Sequence, residues 1–556
     1  MDNSLSLQSI ITSECDVVVV GAGAAGLMTC LELPSSLNIL LLNRNTSNHS
    51  SSRWAQGGIA AVTRPNDSIQ SHQEDTLNAG AGLCDRDAVQ MLVEQAPRCV
   101  DRLQALGMDF DRDKHGLSAT LEAAHSFRRV LHVQDCTGRA LIDVLRDQVE
   151  NKTNVIHRRG IRVTKLWVEK NRCCGVQVLD GPFLYWIKSR AVVLATGGGG
   201  DLYANTTNPA QSSGEGLALA WMAGAALEDL EFVQFHPTAL KRPGAPCFLL
   251  SEALRGEGAR LVDNFGNSPV SHLLKKDLAP RDKVSRALVQ VMHRQRVDHL
   301  GLDLRPIGLN KLESRFPSIF ERCQELGLNP LSELIPIAPA AHYWMGGIAT
   351  DLKAATTVNG LFAVGEVACT GLHGANRLAS NSLMECLVFA SQMSSITLED
   401  NWKSTNKKLT PIPLNPSIHL DNGEDTNSLT QAIEDLRKLI WKEAGVDRSR
   451  KGMMKALELI RKDYESLSSQ PMLSLLGKQN KNICNVLNEQ NRMDLNLLLD
   501  LNYRQLTSSL MLEACLFRKE SRGGHFRSDY QSSMPFWQCH SRQEKGKEIY
   551  TRPLRN

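Results

Sequence analysis

The 556 residues of the chain exceed what one hydrophobic core usually holds, so two or three domains are expected. Hydrophobic residues make up 42% of the sequence and charged residues 22%, a balance that excludes a largely disordered chain. The formal net charge of +3 gives no reason to expect nucleic acid or an anionic membrane as a partner.

The 14 cysteines include no CxxC pair, which favours a reduced compartment over a disulfide framework and gives no indication of a metal site. Residues 1–14 lack a cationic segment followed by an apolar core. No apolar run approaches the roughly 18 residues needed to span a bilayer. We therefore expect a cytoplasmic protein without a membrane partner.

Three apolar runs, at 16–21, 191–200 and 360–366, each end in a glycine-rich turn and predict buried parallel strands. A helix beginning at Ala24 and a second apolar run at 39–42 complete a strand–helix–strand unit after the first turn. The three runs together predict one sheet assembled from distant parts of the chain.

Prolines at both ends of 237–343, among them Pro237 and Pro339, suit hinge-like connections to a small inserted domain. Helical periodicity covers about 429–513, after a polar stretch at 407–416. The predicted organisation is a discontinuous dinucleotide-binding domain at 1–236 and 344–400, a capping domain at 237–343, a helical domain at 401–525 and a basic tail at 526–556.

The dinucleotide site begins with a GxGxxG motif that follows a strand and opens a helix: Gly21, Ala22, Gly23, Ala24, Ala25 and Gly26. In such motifs the first glycine makes the turn, the second admits the pyrophosphate, and the third lets helix and strand pack closely. The next strand ends in Asn43-Arg44 instead of a ribose-binding acid, which counts against NAD and leaves room for FAD. Arg44 either approaches the adenosine end of the cofactor or is a solvated cation.

Two further glycine-rich turns, at 195–200 and 364–366, fit close approach of the backbone to the same cofactor. The Glu366 carboxylate suits a hydroxyl of the cofactor, or is an ordinary charge at a strand end. A helix is predicted to start with Ser380 or Asn381 as its N-cap. Its N-terminus beside a flavin ring would stabilise negative charge on the reduced cofactor.

Six motifs carry a family resemblance: SRWAQGGIAAV at 52–62, QFHPT at 234–238, SEALRGEGA at 251–259, PRDKVSRA at 280–287, AHYWMGGI at 341–348 and GLHGANRLASNSL at 371–383. In these motifs and their order the chain resembles the superfamily of succinate dehydrogenase and fumarate reductase flavoproteins and L-aspartate oxidases. The resemblance covers about residues 14–400 and returns at 520–527.

Three features favour the L-aspartate oxidase family within this superfamily. Ser51 stands where the respiratory flavoproteins carry a histidine that binds FAD covalently, and the nearby His49 is out of register. Residues 379–380, Ala-Ser, replace their paired glycines. The segment around Glu122 resembles the oxidase segment whose glutamate faces the substrate amino group.

The resemblance implies an α/β fold with a Rossmann-like FAD-binding domain, an inserted α+β capping domain and a C-terminal helical domain. It implies non-covalent FAD. The residues assigned to FAD beyond the glycine motif are Arg44, Ser51, Ser52, Arg53, Trp54, Ala55, Gln56, Gly57, Gly58, Glu215, Glu366, Ser382 and Leu383.

The resemblance also implies a dicarboxylate substrate, L-aspartate, whose carboxylates must exchange water for fixed donors. His236, His342 and Arg377 are the implied carboxylate contacts, and Ser251 offers a hydroxyl. Glu122 would pair with the substrate ammonium and discriminate aspartate from succinate; the alternative is an unremarkable surface carboxylate.

Arg281 is the implied acid/base group, donating a proton when fumarate is reduced. Arginine does not serve as a resting base, so in aspartate oxidation Arg281 is expected to act as an electrostatic clamp. Glu252 and Arg255 are expected to pair and orient their neighbours, or to form a purely structural salt bridge.

The implied reaction is FAD-dependent oxidation of L-aspartate to iminoaspartate by hydride transfer from Cα to flavin N5, with O2 or fumarate reoxidising the flavin. This would be the first step of NAD biosynthesis through quinolinate, with quinolinate synthase as a partner. Two alternatives stay open: a respiratory succinate dehydrogenase or fumarate reductase flavoprotein subunit, and a flavoprotein that binds nucleic acid or a protein through its basic tail.

Overall fold

The computed structural model of the protein describes residues 14–46, 50–114, 116–399, 410–413, 426–476 and 483–555. The strands of these residues are, in chain order, β1 Glu14–Val20, β2 Ile39–Asn43, β3 Ile59–Ala60, β4 Arg112–Asp113, β5 Gly116–Leu117, β6 Ala119–Thr120, β7 Val130–Leu131, β8 Val155–Arg159, β9 Ile161–Glu169, β10 Arg172–Asp180, β11 Phe183–Leu194, β12 Leu227–Glu228, β13 Val233–Leu240, β14 Phe248–Leu249, β15 Arg260–Val262, β16 Leu300–Asp303, β17 Ile335–Trp344, β18 Gly347–Ala349, β19 Leu361–Ala363, β20 Ala368–Cys369, β21 Thr410–Pro413, β22 Ile483–Val486, β23 His540–Gln543 and β24 Tyr550–Arg552.

The α-helices of the same residues are α1 Ala24–Glu32, α2 Ile69–Ala79, α3 Arg86–Ala105, α4 Thr137–Glu150, α5 Glu215–Met222, α6 Glu252–Gly256, α7 Arg281–Gln295, α8 Leu309–Arg315, α9 Pro317–Glu325, α10 Asn381–Ser391, α11 Thr426–Ala444, α12 Arg450–Ser468 and α13 Glu489–Phe517. Within the described part of the chain, every helix is too short or too polar to cross a bilayer.

The three apolar runs that end in glycine turns lie side by side in one nine-stranded sheet, as predicted. β1 pairs in parallel with both β2 and β11, and β11 pairs in parallel with β19. Val17, Val18 and Val19 of β1 are fully buried, because helices or further strands cover both faces. This parallel arrangement brings the three glycine turns to the same edge of the sheet.

The inserted region forms its own five-stranded sheet in the order β14-β13-β17-β16-β15, covered by helices α6 to α9. The sheet extends slightly beyond the predicted 237–343 boundaries, so His236 and His342 lie within the paired strands β13 and β17. Of the prolines expected to act as hinges, Pro243 and Pro246 lie in a loop, but Pro237, Pro336 and Pro339 lie inside strands β13 and β17. Pro237 falls where the register of β13 shifts between His236 and Ala239, a bulge that accommodates its missing N–H group.

Helices α11, α12 and α13 account for the periodicity predicted at 429–513. Most of the polar stretch at 407–416 lies outside the described residues, and 410–413 form an edge strand. Helix α13 is 29 residues long and is buried along most of its length. Its Asp500 pairs with Arg44, and its Arg504 pairs with Asp201.

The basic tail is folded into the rest of the protein, contrary to the expectation of a separate segment. β23 and β24 complete a sheet in the order β20-β18-β12-β23-β24. Arg518 donates from Nε to Glu231 at 2.5 Å, and Arg552 donates from Nε to Glu228 at 2.7 Å. These arginines are therefore neutralised by acids about 300 residues away in sequence, and they do not form a cationic surface for nucleic acid.

Candidate active site

A cavity of about 840 Å³ lies where the glycine turns of the large sheet meet the capping sheet and the start of α10. This volume is in the range of cofactor and substrate sites. The cavity is lined by 25 of the residues assigned from the sequence: Gly21, Ala22, Gly23, Ala24, Ala25, Arg44, Ser51, Ser52, Arg53, Trp54, Ala55, Gln56, Gly57, Gly58, Glu122, Glu215, His236, Ser251, Glu252, Arg281, His342, Glu366, Arg377, Ser382 and Leu383. Gly26 and Arg255 lie behind the lining.

The glycine motif leaves space for a dinucleotide. At Gly21, with φ +110°, a Cβ atom would lie 2.2 Å from the Ala195 carbonyl oxygen, and at Gly26 it would lie 1.8 Å from the Gly21 oxygen. These two glycines therefore let β1, α1 and the second glycine turn pack closely. Gly23 precedes α1 without a side-chain cap, and the Ala24 N–H donates to Ser52 Oγ at 3.2 Å. The open helix N-terminus fits the pyrophosphate of FAD.

Glu366 lies in the third glycine turn, with its carboxylate against the second. Its Oε1 accepts a hydrogen bond from the Trp344 backbone N–H at 3.0 Å. A Cβ atom at Gly198 would lie 2.3 Å from the same oxygen, so a side chain there would displace the Glu366 carboxylate. Burial raises the pKa of Glu366 to about 7. At neutral pH the carboxyl group can thus accept a hydrogen bond from a cofactor hydroxyl or donate one to it.

Arg44 forms ion pairs at the nucleotide end of the cavity. Its Nη1 lies 3.0 Å from Glu215 Oε2 and 3.2 Å from Asp500 Oδ1. Arg162 donates from Nε to the other oxygen of Glu215 at 2.6 Å. Arg44 is thus a half-buried, ion-paired cation and not a freely solvated one, and its approach to the adenosine end stays a prediction. Arg162 and Asp500 were missed by the sequence analysis, because neither lies in a recognisable local motif.

The loop at 50–58 lines the cavity beside the glycine motif. Ser51 Oγ lies 3.1 Å from Ser212 Oγ, and His49 lies outside the described residues. At Gly58 a Cβ atom would lie 2.2 Å from the Leu131 carbonyl oxygen, so the loop is packed directly on β7. The residues present fit FAD bound through hydrogen bonds and packing.

Two arginines meet at the other end of the cavity through Gln234, which the sequence analysis passed over. Gln234 Oε1 accepts from Arg281 Nη1 at 3.0 Å and from Arg377 Nη2 at 3.2 Å. Its Nε2 donates to Asn376 Oδ1 at 2.9 Å, which fixes the amide orientation. A neutral acceptor thus holds two guanidinium groups together without cancelling their charge. Gln234 lies inside the matched QFHPT motif, the one indication that it had a role.

Arg281 is joined to a buried ion pair. It donates from Nε to Glu252 Oε2 at 2.9 Å, and Arg255 donates from Nη2 to Glu252 Oε1 at 2.6 Å. The Glu252–Arg255 pair expected from the sequence is therefore present. Burial by itself would raise the pKa of Glu252, but the two guanidinium groups outweigh it and lower the pKa. Glu252 is consequently an anion that orients Arg281 towards the cavity.

His236 and His342 lie with ring centroids 5.1 Å apart. Burial, followed by the charge of the nearby arginines, lowers the pKa of both well below the usual value. Both rings are neutral at pH 7. The Thr238 backbone N–H donates to His236 Nδ1 at 3.3 Å, so the ring proton of His236 is on Nε2. These histidines can act as hydrogen-bond donors and do not add positive charge.

Ser251 is the N-cap of α6, where its Oγ accepts from the Ala253 N–H at 3.3 Å. Among the residues that the structure describes, no acceptor takes the hydroxyl hydrogen of Ser251, which can therefore be donated into the cavity. Ser382, the second residue of α10, accepts a hydrogen bond from Arg377 Nη1 at 2.5 Å. Ser382 therefore lies beside Arg377, whereas Ser251 adjoins Glu252, the partner of Arg281.

Glu122 is buried, with 4% of its surface exposed, and the alternative of a surface carboxylate is wrong. It accepts a hydrogen bond from Ser380 Oγ at 2.7 Å. Its pKa is raised, because burial and the negative charge of Glu252 outweigh the hydrogen bond from Ser380 and the charges of Arg281 and Arg377. The cavity end thus combines two cations with a carboxylate that faces them.

Comparison with known proteins agrees with this geometry. A family model for the FAD binding domain matches residues 16–383, and one for the fumarate reductase flavoprotein C-terminus matches 433–554. An L-aspartate oxidase from Nostoc sp. is 47% identical, with 96% of this chain and 94% of that protein aligned. An L-aspartate oxidase from Synechocystis sp. is 45% identical, over 97% of this chain and 99% of the relative.

Among solved structures, a FrdA variant of E. coli quinol fumarate reductase superposes with a TM-score of 0.86 at 27% identity, covering 98% of each chain. Mycobacterium smegmatis Sdh1 superposes with a TM-score of 0.77 at 26% identity, covering 98% of this chain and 94% of that one. The FAD-binding fold, the lined cavity and the nearly full-length similarity agree, and the chain belongs to the L-aspartate oxidase family of flavoproteins.

Proposed function

We propose that the protein oxidises L-aspartate to iminoaspartate. The observation that carries the proposal is the charge pattern at one end of the cavity, where Arg281 and Arg377 share the acceptor Gln234 and a buried glutamate, Glu122, faces them. Two cations and one anion complement the two carboxylates and the ammonium group of aspartate. A dicarboxylate without an amine would leave the glutamate unpaired.

The side chains at this end bind and orient the substrate. Arg377 holds one carboxylate with charge-assisted hydrogen bonds, supported by its contact with Ser382. The neutral His236 and His342 donate hydrogen bonds to the carboxylates, and Ser251 supplies a hydroxyl. Glu122 pairs with the ammonium group, which releases one proton to water before the hydride leaves Cα. Fixing the substrate in one orientation is itself a large part of the rate enhancement.

FAD, when bound, supplies the acceptor for the hydride that leaves Cα, and O2 or fumarate would restore its oxidised form. Arg281 stabilises negative charge on the substrate during aspartate oxidation. When the flavin is reduced and fumarate is bound, Arg281 donates a proton to the fumarate carbon. Glu252 keeps the guanidinium oriented for both tasks.

The L-aspartate oxidase relatives also support a place for this reaction at the start of NAD biosynthesis, where iminoaspartate would be consumed in making quinolinate. Under this proposal quinolinate synthase is the partner that takes up the unstable imine. Succinate oxidation is the second candidate function, because the superposed structures include fumarate reductase and Sdh1 proteins.

One experiment separates the two functions. Purified protein with FAD is mixed without oxygen with L-aspartate, and separately with succinate, while the flavin absorbance is followed. Bleaching by L-aspartate and little or none by succinate is expected. Bleaching by succinate alone would contradict the proposal and favour the respiratory function.

A further inference from the structure

Ser380 uses its hydroxyl in a way that is unusual for the residue before a helix. It precedes α10 in the left-handed backbone region, with φ 62°. An N-cap serine normally accepts a hydrogen bond from the second or third N–H of its own helix. Here that bond is not made, and Ser380 Oγ donates to Glu122 Oε2 at 2.7 Å.

The direction of this hydrogen bond is set by the neighbouring loop. The Gly58 backbone N–H donates to Ser380 Oγ at 3.3 Å, so the hydroxyl already acts as an acceptor on that side. The Ala60 N–H donates to the Ser380 carbonyl oxygen at 3.1 Å, which holds the residue in place. The hydroxyl hydrogen therefore points at Glu122, an arrangement that favours the ionised carboxylate.

The pair is enclosed on the side of the loop. A Cβ atom added to Gly57 would lie 3.4 Å from Glu122 Oε1 and 3.5 Å from Ser380 Oγ. The backbone of 57–60 thus packs against both side chains and restricts where the carboxylate can point. Because burial and the charge of Glu252 act against the ionised form of Glu122, a fixed donor at this point favours the anion.

We propose that Ser380 is a positioning residue whose hydroxyl directs the Glu122 carboxylate at the substrate amino group and favours its anionic form, and so contributes to the preference for an amino dicarboxylate. The inference rests on the proposed function, because Ser380 acts on the substrate only through Glu122. It goes beyond that function in naming the residue on which the charge of Glu122 depends.

Ser380→Gly tests the inference with little risk to folding, because glycine accepts a φ of 62° more readily than serine does. In anaerobic flavin reduction at pH 7, the apparent dissociation constant for L-aspartate should rise about tenfold, the effect of losing a hydrogen bond to a charged group. The limiting rate should change less, and reoxidation of reduced flavin by fumarate should stay within about twofold of wild type.

The pH profile gives a readout that a purely structural role would not move. Without the hydroxyl the pKa of Glu122 should rise, so the acid limb of aspartate affinity should move to higher pH. The charged groups that also act on this carboxylate are Glu252, Arg281, Arg377 and Arg315, and all four are unchanged in the variant.

Two controls make the result decisive. Arg296→Gly places glycine at another left-handed position, the C-cap of α7 with φ 55°, and should leave affinity and pH profile as in wild type. In a Glu122→Gln background, Ser380→Gly should cause no further loss of aspartate affinity, since the two residues act as one unit.

Equal losses with aspartate and fumarate, or an undiminished effect of Ser380→Gly in the Glu122→Gln background, would overturn the inference. If Glu122→Gln weakens aspartate selectively but Ser380→Gly moves neither affinity nor pH profile, the inference alone is wrong. If Glu122→Gln leaves the preference for aspartate over succinate unchanged, the proposed role of Glu122 fails and the inference falls with it.

Discussion

The guanidinium of Arg377 lies over the ring of Tyr343, with its central carbon 4.5 Å from the ring centroid. The Tyr343 hydroxyl donates to Glu385 at 2.6 Å, which fixes the ring beneath the cation. Burial, with a contribution from Arg281, lowers the pKa of Arg377 to about 10, and the group stays protonated at neutral pH. The Tyr343 ring and the neutral Gln234 amide thus hold Arg377 in place, and its full positive charge is available to a substrate carboxylate.

Arg377→Leu should therefore abolish most of the affinity for aspartate. Loss of a charge-assisted contact from a buried site costs about 2–5 kcal/mol, which is a factor of at least thirty in the dissociation constant. FAD occupancy, measured from the absorbance of the purified protein, should stay near normal. Arg377→Lys keeps the charge but not the planar contact, so its affinity for aspartate should lie between those of wild type and Arg377→Leu. Equal loss of flavin and substrate binding would show that Arg377 is structural.

Arg281→Lys should nearly abolish fumarate reduction. Lysine lacks the planar fork that contacts both Glu252 and Gln234, so the donated proton would be misplaced. Flavin reduction by aspartate should suffer less, because Arg281 supplies only electrostatic stabilisation in that direction. The two rates are measured anaerobically on the same preparation. Parallel losses would contradict the assignment of Arg281 as proton donor.

Acid precipitation of the purified protein should release all of its flavin into the supernatant. Ser51, whose hydroxyl contacts Ser212, cannot form the histidine–flavin bond of the respiratory relatives. Absorbance of the supernatant and the washed pellet gives the measurement. Flavin colour in the pellet would contradict non-covalent binding.

His540 joins the C-terminal strands to the core through buried ion pairs. These pairs predict that the stability of the protein depends on pH. Its Nε2 lies 3.1 Å from Asp85 Oδ1, and its Nδ1 contacts Asp229 Oδ2. Burial opposes its protonation, but the two aspartates outweigh burial and raise the pKa of His540 to about 10. Because this pKa lies above the unfolded value of about 6.5, the stabilisation is complete below that pH and is lost as pH rises through 10.

His540→Gln should lower the free energy of unfolding by about 3–5 kcal/mol at pH 6.5, the usual cost of breaking a buried ion pair. Urea unfolding at saturating FAD should show the difference from wild type shrinking as pH approaches 10. His299→Gln, which removes an exposed histidine beside Asp298, is the matched control and should have little effect. A difference that is constant across this pH range would contradict a charged His540.

Much of the architecture could be predicted from local patterns. Buried parallel strands give continuous apolar runs, and the glycines that follow them are required by close backbone contacts such as Gly21 with Ala195. Nearly all of the residues assigned from the sequence line the cavity. The proline hinges were wrong, because a β-bulge lets Pro237 lie inside a strand.

What could not be predicted depends on partners distant in sequence. Arg44 and Arg518 look like surface cations, yet Asp500 and Glu231 pair with them across hundreds of residues. The same applies to Ser380, which was predicted as a possible cap. Its hydroxyl bonds to Glu122 instead, a choice that depends on the loop at 57–60 and not on the helix that follows.

The central claim is that Glu122 recognises the substrate ammonium, and a single ratio tests it. In Glu122→Gln, the rate of anaerobic flavin reduction by L-aspartate is divided by the rate of flavin reoxidation by fumarate, and the ratio is compared with that of wild type. Glutamine keeps the size of the side chain but removes the charge that pairs with the amine, while fumarate has no amine and is relieved of a repelling carboxylate. The ratio should fall about tenfold or more. A ratio equal to that of wild type, with both rates reduced in parallel, would contradict the claim.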